Sequence, residues 1–403
     1  MSDNPRIHSA YDPQKEAQKY IDSLTIPPGI VYFILIECGS GYMIPVLRAQ
    51  FPSAKLISLH ISSKYLSGAD GYKPDAEWSP SSSLTCTAFL ERHIKEIESD
   101  KIKIIEWRPA LALDGKTYAR ILSETAAFIK ITDANKRTSR YFAKRWQNNI
   151  MKNISVFSEN ALKKPSAVNS DIILCAAGPG LETQFDTLKI IRRNKNRIIL
   201  SVSSAVRALL SHGITPDIVF TSDGGNWARF HLFETLRCPK KPLIAAPLNA
   251  VLLTDFKKYP VILFSDGSSE QNTLLAKNGL PVLSLPQRGT VTAAALDFAL
   301  GWTTGNIYLT GADLSSGSLN SHARPYSFDL ISEIASTRLS PFYHLKLTRT
   351  RALTAGGSHK IYAEWFKRQR GLYPSRIYSL GVNNEALSFK RISASCLLND
   401  NKN

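Results

Sequence analysis

The sequence predicts an α/β protein with a Rossmann-like N-terminal domain, a central doubly wound parallel-sheet domain and a helical C-terminal region. Short runs that are apolar at every position, such as Ile172–Leu174, are typical of strands buried on both faces. Apolar residues at helical spacing, as at Leu181, Phe185 and Leu188, separate these runs. Glycine, hydroxyl and acidic residues follow the strands, at the end where parallel sheets bind ligands.

The predicted N-terminal domain covers residues 1–155 and opens with a βαβ unit. Its first strand is Ile30 to Glu37, a glycine turn follows at 38–41, and a helix leads to a second strand at Lys55 to Ile61. This order resembles the opening of a nucleotide- or S-adenosylmethionine-binding Rossmann domain. A third glycine is missing, and His60 stands where an acidic residue is expected. We therefore favour a domain without a cofactor over one that binds it.

A long helix from Tyr118 to Asn153 is predicted to end this domain, with the boundary between Asn153 and Asn169. The central domain then spans 165–330, and the helical, basic C-terminal region spans 331–403. Seven strands are predicted in the central domain, at 171–176, 197–202, 218–221, 242–246, 261–264, 281–285 and 306–310.

The first strand of the central domain ends in a glycine turn, Gly178-Pro179-Gly180, followed by a helix. Glycine allows the backbone to approach a ligand, and the N–H groups at a helix start suit a phosphate. We predict that these three residues bind a nucleotide. The turn is neither a full GxGxxG motif nor a Walker A loop, so an ordinary strand-to-helix turn is the alternative.

Further candidates follow other strands. Ser203 and Ser204 are predicted to hydrogen-bond a ribose or base. Gly289-Thr290 precedes a helix and is either a second anion site or an N-cap. Asp223 and Asp313 are positioned to bind Mg²⁺, accept a proton or hydrogen-bond a sugar hydroxyl, unless they cap turns. They are therefore catalytic candidates.

His322 lies in a polar loop after the last strand of this domain. Its imidazole titrates near neutral pH and suits a general base, although a solvated loop histidine is the alternative. Arg324 and Tyr326 are near enough in sequence to stabilise a phosphate leaving group.

Composition and charge indicate which partners the protein binds and in which compartment it is found. The net charge of +17 indicates anionic partners, but the basic residues are dispersed. Because neither an arginine-rich arm nor an RNA-binding motif occurs, a nucleic-acid partner is not expected. The five cysteines are scattered, which argues against a disulfide framework or structural zinc. With a polar N-terminus and no apolar run of membrane-spanning length, a cytoplasmic protein that does not bind membranes is expected.

Five motifs occur in order and resemble the motility accessory factor (Maf) family over about Asp171 to His322. They are AGPGLE, SSAVRALLSHGITPDIVFTSDG, GTVTAAALDFAL, IYLTGADL and a following SHA. The resemblance implies a bacterial flagellin glycosyltransferase, sialyltransferase-like in its central fold, which is shared with archaeal 6-hydroxymethylpterin diphosphokinases. Gly180 replaces a common serine and Ala312 a frequent glutamine.

The resemblance further implies transfer of a nonulosonic (sialic-acid-like) sugar from a CMP-sugar donor to Ser or Thr of flagellin. His322 would be the base, and the glycine turn with Ser203 and Ser204 would hold the nucleotide. Mg²⁺ dependence stays open. Two alternatives remain: a pterin diphosphokinase-like enzyme that uses ATP and Mg²⁺, and a flagellin-binding protein without enzymatic activity.

Overall fold

Two parallel sheets organise the chain, in a computed structural model that describes residues 6–63, 72–94, 101–163, 167–194, 197–314, 320–344, 347–348, 358–381, 387 and 389–399. Unit 1 is Met1–Ala143 and contains a four-stranded sheet; unit 2 is Lys144–Asn403 and contains an eight-stranded sheet. Every strand pairing is parallel. The predicted α/β class, with two parallel-sheet regions, is confirmed.

Unit 1 follows the predicted βαβ opening. Its strands are β1 (Tyr32–Ile36), β2 (Lys55–Leu59), β3 (Ala76–Trp78) and β4 (Ile102–Glu106). Its helices are α1 (Pro13–Asp22), α2 (Met43–Gln50), α3 (Cys86–His93) and the first part of α4 (Gly115–Phe157). The sheet order is β3-β2-β1-β4. All five residues of β1 are buried, as expected for a central strand covered on both faces.

Helix α4 has 43 residues, and the division between the two units falls within it. The predicted boundary interval, Asn153 to Asn169, begins at its C-terminal end. In unit 2 the Asn153 amide donates hydrogen bonds to the carbonyls of Leu248 and Ala250, at 2.9 and 2.8 Å. The end of α4 is thereby fixed to the loop that follows a strand of the larger sheet.

Unit 2 contains eight strands and eight further described helices. The strands are β5 (Ile172–Cys175), β6 (Ile198–Val202), β7 (Ile218–Phe220), β8 (Leu243–Pro247), β9 (Val261–Phe264), β10 (Ile307–Thr310), β11 (Ile377–Leu380) and β12 (Lys390–Ile392). The helices are α5 (Phe185–Asn194), α6 (Val206–Ser211), α7 (Arg229–Thr235), α8 (Ser269–Lys277), α9 (Val291–Trp302), α10 (Asp329–Ile334), α11 (Ser358–Leu372) and α12 (Ala394–Asn399).

The sheet order in unit 2 is β12-β11-β10-β5-β6-β7-β8-β9. From β5 the chain adds strands in one direction as far as β9. It then returns to place β10 on the other side of β5 and continues outward to β12. All four residues of β5 and all four of β10 are buried. These two strands therefore form the centre of a doubly wound sheet, and the strand order reverses between them.

Two sequence predictions need correction. The expected strand at 281–285 does not form, apart from a single bridge between Ser265 and Ser284. The Leu283 N–H instead bonds the Pro281 carbonyl at 3.0 Å, a tight turn incompatible with an extended strand. The C-terminal region is also not purely helical, because β11 and β12 extend the sheet. These strands have only four and three residues, too few to show a clear period of two among helical segments.

None of the helices in the described part of the chain has the combined length and apolar character needed to cross a bilayer. The five cysteines are free thiols, and four of them are buried. Cys175 lies in β5 and is fully buried, where it packs as a small apolar side chain.

Candidate functional site at the switch point of the larger sheet

The strand-order reversal between β5 and β10 defines a topological switch point, the position at which open α/β sheets bind ligands beyond the strand ends. Beyond β5 the chain enters the glycine turn at Gly178. Beyond β10 it reaches Asp313, and the next residue, Leu314, has a left-handed backbone with φ of 43°. Such strained backbone outside glycine concentrates at functional sites. The structure therefore brings the predicted residues Gly178, Gly180 and Asp313 to this point.

The glycine turn closes on Asp313. The Gly180 N–H donates to Oδ2 of Asp313 at 2.5 Å, and the Gly178 N–H donates to the Gly311 carbonyl at 2.7 Å. A Cβ on Gly178 would collide with both acceptors, and one on Gly180 would collide with the Asp313 carboxylate. The two glycines are thus required for close approach to the chain's own carboxylate.

This contact changes the predicted role of the turn. The Gly180 N–H, expected to face a phosphate, faces a carboxylate instead, while Pro179 begins the short 3₁₀ turn Pro179–Gln184. Partial burial raises the pKa of Asp313, and the Gly180 hydrogen bond opposes that rise. A carboxylate at this position disfavours a polyphosphate and suits a hydroxyl donor, such as a sugar.

The loop 320–326 is attached to the same turn by backbone hydrogen bonds. The Ala323 N–H donates to the Ala177 carbonyl at 2.8 Å, and the Arg324 N–H donates to Oε1 of Glu182 at 2.9 Å. The Arg324 guanidinium donates to Oδ1 of Asn320 at 2.6 Å, which closes the loop on itself. These bonds bring His322 and Arg324 to the carboxyl edge of the sheet at the switch point, as predicted.

His322 is held by neighbouring rings and a hydroxyl. Its imidazole stacks on the Tyr326 ring, with centroids 4.0 Å apart and planes inclined by 14°. Its Nδ1 lies 2.9 Å from the Ser321 hydroxyl. The Tyr326 hydroxyl lies 3.5 Å from Nε2 of His231, which comes from α7. These contacts orient His322, and they point the Tyr326 hydroxyl toward His231.

His231 is half-buried, and aromatic rings pack against its imidazole. Burial lowers the pKa of its imidazole to about 4. Its Nδ1 is buried without a hydrogen-bond partner, and the Phe328 ring meets it edge-on at 4.7 Å between centroids. Since the imidazole stays uncharged at neutral pH, its Nε2 can accept a hydrogen bond from Tyr326.

The other candidates follow neighbouring strands. Ser203, which is buried, and Ser204, which is half-buried, follow β6 next to β5. Asp223 follows β7, is exposed, and accepts a hydrogen bond from the Gly225 N–H at 2.7 Å. That bond is a turn cap, the alternative that the sequence left open.

A shared metal site for Asp223 and Asp313 does not fit this sheet. Three strand spacings separate the ends of β7 and β10, a distance of about 14 Å. One Mg²⁺ ion with ligands near 2.1 Å cannot bind both carboxylates. Across the described residues, His, Cys, Asp and Glu side chains form no group of three or more able to hold a metal ion.

Thr290 is the N-cap of α9, because its hydroxyl accepts the Ala293 N–H at 3.0 Å. Gly289 lies against the Tyr362 ring, where a Cβ would collide. For this pair the structure shows the N-cap alternative. Its position before α9 nevertheless places it at the carboxyl edge, since crossover helices run antiparallel to the strands.

A pocket of about 670 Å³ opens beside the loop 320–326. Arg207 and Arg324 supply positive charge, and the Phe185 and His212 rings stack with centroids 3.8 Å apart. Three carboxylates also line it, from Glu182, Asp329 and Glu333. With charges of both signs, the pocket suits a ligand that combines an anionic group with hydroxyl or amide groups.

Several of these residues were not predicted from the sequence. Glu182 and Arg207 lie inside two of the quoted motifs, so the motifs themselves held the information that could have identified them. His231 lies in an aromatic helical segment without any spacing typical of a site. Only the tertiary contact with Tyr326 reveals it.

Comparison with known proteins gives the family. A protein of Treponema pallidum (strain Nichols), described as uncharacterized, is 30% identical over 337 residues, which cover 82% of this chain and 69% of the treponemal protein. This chain belongs to the family of that protein. Within it, residues 144–318 match the family model "6-hydroxymethylpterin diphosphokinase MptE-like". The MptE-like central domain implied by the motifs is therefore confirmed.

Among solved structures, the chain is similar to a Maf glycosyltransferase from Magnetospirillum magneticum AMB-1. The identity is 16% and the TM-score is 0.44, with 78% of this chain and 54% of that chain covered. The chain thus spans about half the length of that structure.

Proposed function

We propose that this protein is a glycosyltransferase that moves a nonulosonic sugar from a CMP-activated donor to Ser or Thr of flagellin. The observation that carries the proposal is the attachment of loop 320–326 to the glycine turn. This attachment places an imidazole and a guanidinium at the switch point of an MptE-like domain. A general base beside a cation is the pair that sugar transfer with a phosphate leaving group requires.

In the proposed reaction the oxygen of the acceptor hydroxyl attacks the anomeric carbon, and His322 accepts the proton of that hydroxyl. The bond between that carbon and the phosphate oxygen breaks, and CMP leaves with both electrons. The guanidinium of Arg324 stabilises the charge that develops on the phosphate. Tyr326, predicted to assist the leaving group, has its hydroxyl near His231. Its ring therefore serves in this proposal to hold His322 in position.

The donor nucleotide lies in this proposal along the ends of β5, β6 and β10. Ser203 and Ser204 bond the ribose or base, and Asp313 accepts a hydrogen bond from a hydroxyl group. A CMP-sugar has one phosphate, so the carboxylate inside the glycine turn opposes it less than it would a triphosphate. Arg207 and Arg324 then provide the positive charge for that phosphate.

The family model also favours a second candidate, ATP-dependent diphosphate transfer to a pterin. Such a reaction binds a polyphosphate and Mg²⁺, usually with carboxylate ligands. Asp223 and Asp313 lie too far apart to share one ion, and Asp313 occupies the glycine turn. These two observations favour the CMP-sugar over ATP.

Calorimetry of the purified chain with CMP, and separately with ATP and Mg²⁺, distinguishes the two candidates. We expect CMP to bind and ATP–Mg²⁺ to bind more weakly. Tight binding of ATP–Mg²⁺ without CMP binding would favour the kinase.

Mass spectrometry of flagellin, from cells with and without the gene, tests the acceptor and the transferred sugar. We expect the sugar mass on flagellin only when the gene is present. The cytoplasmic location and the metal dependence stay predictions, and full activity in EDTA would argue against a required metal.

A further inference from the structure

An apolar patch lies beside the candidate site, formed by side chains on and next to α7 and α10. Its members are Trp227, Phe230, Phe233, Phe328, Leu330 and Ile334. Trp227 is 65% exposed, Leu330 56% and Ile334 77%. Monomeric proteins seldom expose contiguous apolar surface of this kind unless it binds something.

The aromatic members of the patch contact one another. Ring centroids of Trp227 and Phe230 are 5.7 Å apart, those of Phe230 and Phe328 5.7 Å, and those of Phe230 and Phe233 6.3 Å. Phe328 joins the two halves, because it also lies 6.2 Å from Trp227. The rings thus form one continuous surface, and because they pack on one another, fewer rotamers are lost when a partner binds.

The patch borders the candidate site directly. Leu330 lines the pocket and belongs to the patch, and Glu333 lines the pocket one residue before Ile334. Phe328 lies two residues after Tyr326, the ring on which His322 stacks. A molecule lying on the patch would therefore extend toward the general base.

The charges around the patch differ between its two edges. On the α7 side, Arg229 is exposed and Arg237 has a side-chain exposure of 72%. One acid on this helix, Glu234, pairs with Arg237 at 3.2 Å and with Arg207 at 3.7 Å, so the arginines outnumber it and this edge is positive. On the α10 side, Asp329 and exposed Glu333 make the edge negative. This arrangement favours a partner with apolar groups flanked by acidic ones over α7.

We infer that the patch is the docking surface for the protein acceptor: a polypeptide segment that places apolar side chains on the rings and acidic side chains over α7. The inference rests on the proposed function, since it assigns the acceptor side of the same site. Aromatic and arginine side chains are the types that most often dominate protein–protein binding energy.

The test measures binding of purified flagellin to the full chain by biolayer interferometry, with no donor present. Trp227→Ser combined with Phe230→Ser should weaken binding by about 30-fold or more. Leu372→Ser is the matched control, because Leu372 is 55% exposed at the end of α11, outside the patch. It should bind as the wild type does. Thermal melting of each variant checks that it is folded.

Charge reversal gives a second, independent measurement. Arg229→Glu combined with Arg237→Glu should weaken flagellin binding about tenfold and reduce its dependence on salt. Arg193→Glu, an exposed substitution on α5, is the control and should change neither. These variants keep the apolar patch, so they remain informative if the serine variants fail to fold.

The outcomes separate the inference from the proposed function. If the Trp227/Phe230 variant and the Arg229/Arg237 variant both bind flagellin as tightly as the wild type, the docking surface is overturned. Wild-type binding to anionic lipid vesicles but not to flagellin overturns it as well, in favour of a membrane. A wild-type chain that binds flagellin through the patch but transfers no sugar supports the docking surface and contradicts the proposed function.

Discussion

Each unit has a glycine turn after the first strand of its sheet, and the two turns are closed by different groups. In unit 1 the Ser40 N–H donates to Nε2 of His8 at 3.1 Å, and a Cβ on Gly39 would collide with the same imidazole. In unit 2 the Gly180 N–H donates to Asp313. Similar strand–turn–helix patterns in the sequence therefore lead to turns closed by different acceptors, an imidazole nitrogen in unit 1 and the Asp313 carboxylate in unit 2.

The surroundings of the two turns differ further. Beside the turn of unit 1, Nδ1 of the buried His60 lies 3.1 Å from Oε1 of Glu37, which is also buried. Glu37 also accepts the N–H groups of Gly39 and Ile61, at 3.0 and 2.8 Å. In unit 2 the loop that carries the half-buried His322 bonds Ala177, the residue before the turn, and Glu182 after the turn lines a pocket. The imidazoles of His8 and His60 in unit 1 thus bond groups of the fold itself, whereas the proposed function gives His322 the role of general base.

Among the substitutions that test this comparison, the one at His322 should have the largest effect on sugar transfer. We expect His322→Ala to lower sugar transfer by about 10²–10⁴-fold, the usual contribution of a general base. Stability and CMP affinity should stay near those of the wild type. The ascending limb that a histidine base gives to the wild-type pH–rate profile should vanish in the mutant. His344→Ala, an exposed substitution, is the control, and a mutant within about threefold of wild type would return His322 to a solvated loop residue.

In unit 1 the corresponding substitution should affect stability instead. His60→Ala removes a hydrogen-bonding partner of the buried Glu37 carboxylate, at a cost of about 1–3 kcal/mol in the free energy of unfolding. Denaturant titration measures this loss, and the transfer activity of the remaining folded protein should be unchanged. A stable His60→Ala protein with reduced transfer would instead place chemistry in unit 1.

Gly178 provides a third test. Because a Cβ would meet the Gly311 carbonyl, Gly178→Ala should lower the free energy of unfolding by about 1–3 kcal/mol. A valine at this position is larger still. Any loss of nucleotide binding by Gly178→Val would therefore reflect disturbed folding rather than a side chain that blocks the nucleotide. Gly301→Ala is the control: this helical glycine in α9 has open space around it and should stabilise by about 0.4–1 kcal/mol. Equal effects from both alanines would contradict the described packing of the turn.

The smallest effect comes from His231. Its pKa is about 4 when folded and near 6.5 when unfolded, so between these values the unfolded chain binds more protons. Stability due to His231 is therefore present above pH 6.5 and is lost as the pH falls toward 4. We expect a loss of about 1–2 kcal/mol between pH 7 and pH 5 in the wild type. His231→Phe should remove this contribution. If the free energy of unfolding of the mutant falls with pH as steeply as that of the wild type, other groups cause the acid sensitivity.

Much of the fold could be predicted because buried parallel strands are apolar at every position. The strand bounds of β5, β9 and β10 agree with their predicted runs within one residue at each end. Pro281–Leu285 has the same apolar character but turns at Leu283, and periodicity does not distinguish the two cases. Short edge strands such as β12 have too few residues to produce any pattern.

The candidate site was predictable only in its location. Strand ends indicated Gly178, Asp313 and the loop of His322, since parallel strands end at one edge. The partners of these residues depend on contacts across long sequence separations, such as the 133 residues between Gly180 and Asp313. Similarly, the contact of Tyr326 with His231 joins residues 95 apart in sequence and depends on where α7 packs, which local sequence does not encode.

The order of strands has a consequence for synthesis of the chain. β5 acquires one neighbour from the next strand, but its other neighbour, β10, begins only after a separation of 135 residues. Until β10 leaves the ribosome, one side of β5 is an open, apolar edge of the kind that pairs with other chains. The pairing of β10 with β5, which creates the switch point, therefore forms late in synthesis, and β11 and β12 join the sheet after it. A nascent or truncated chain ending near Trp302 would be aggregation-prone and would lack the site, so activity reports completed folding.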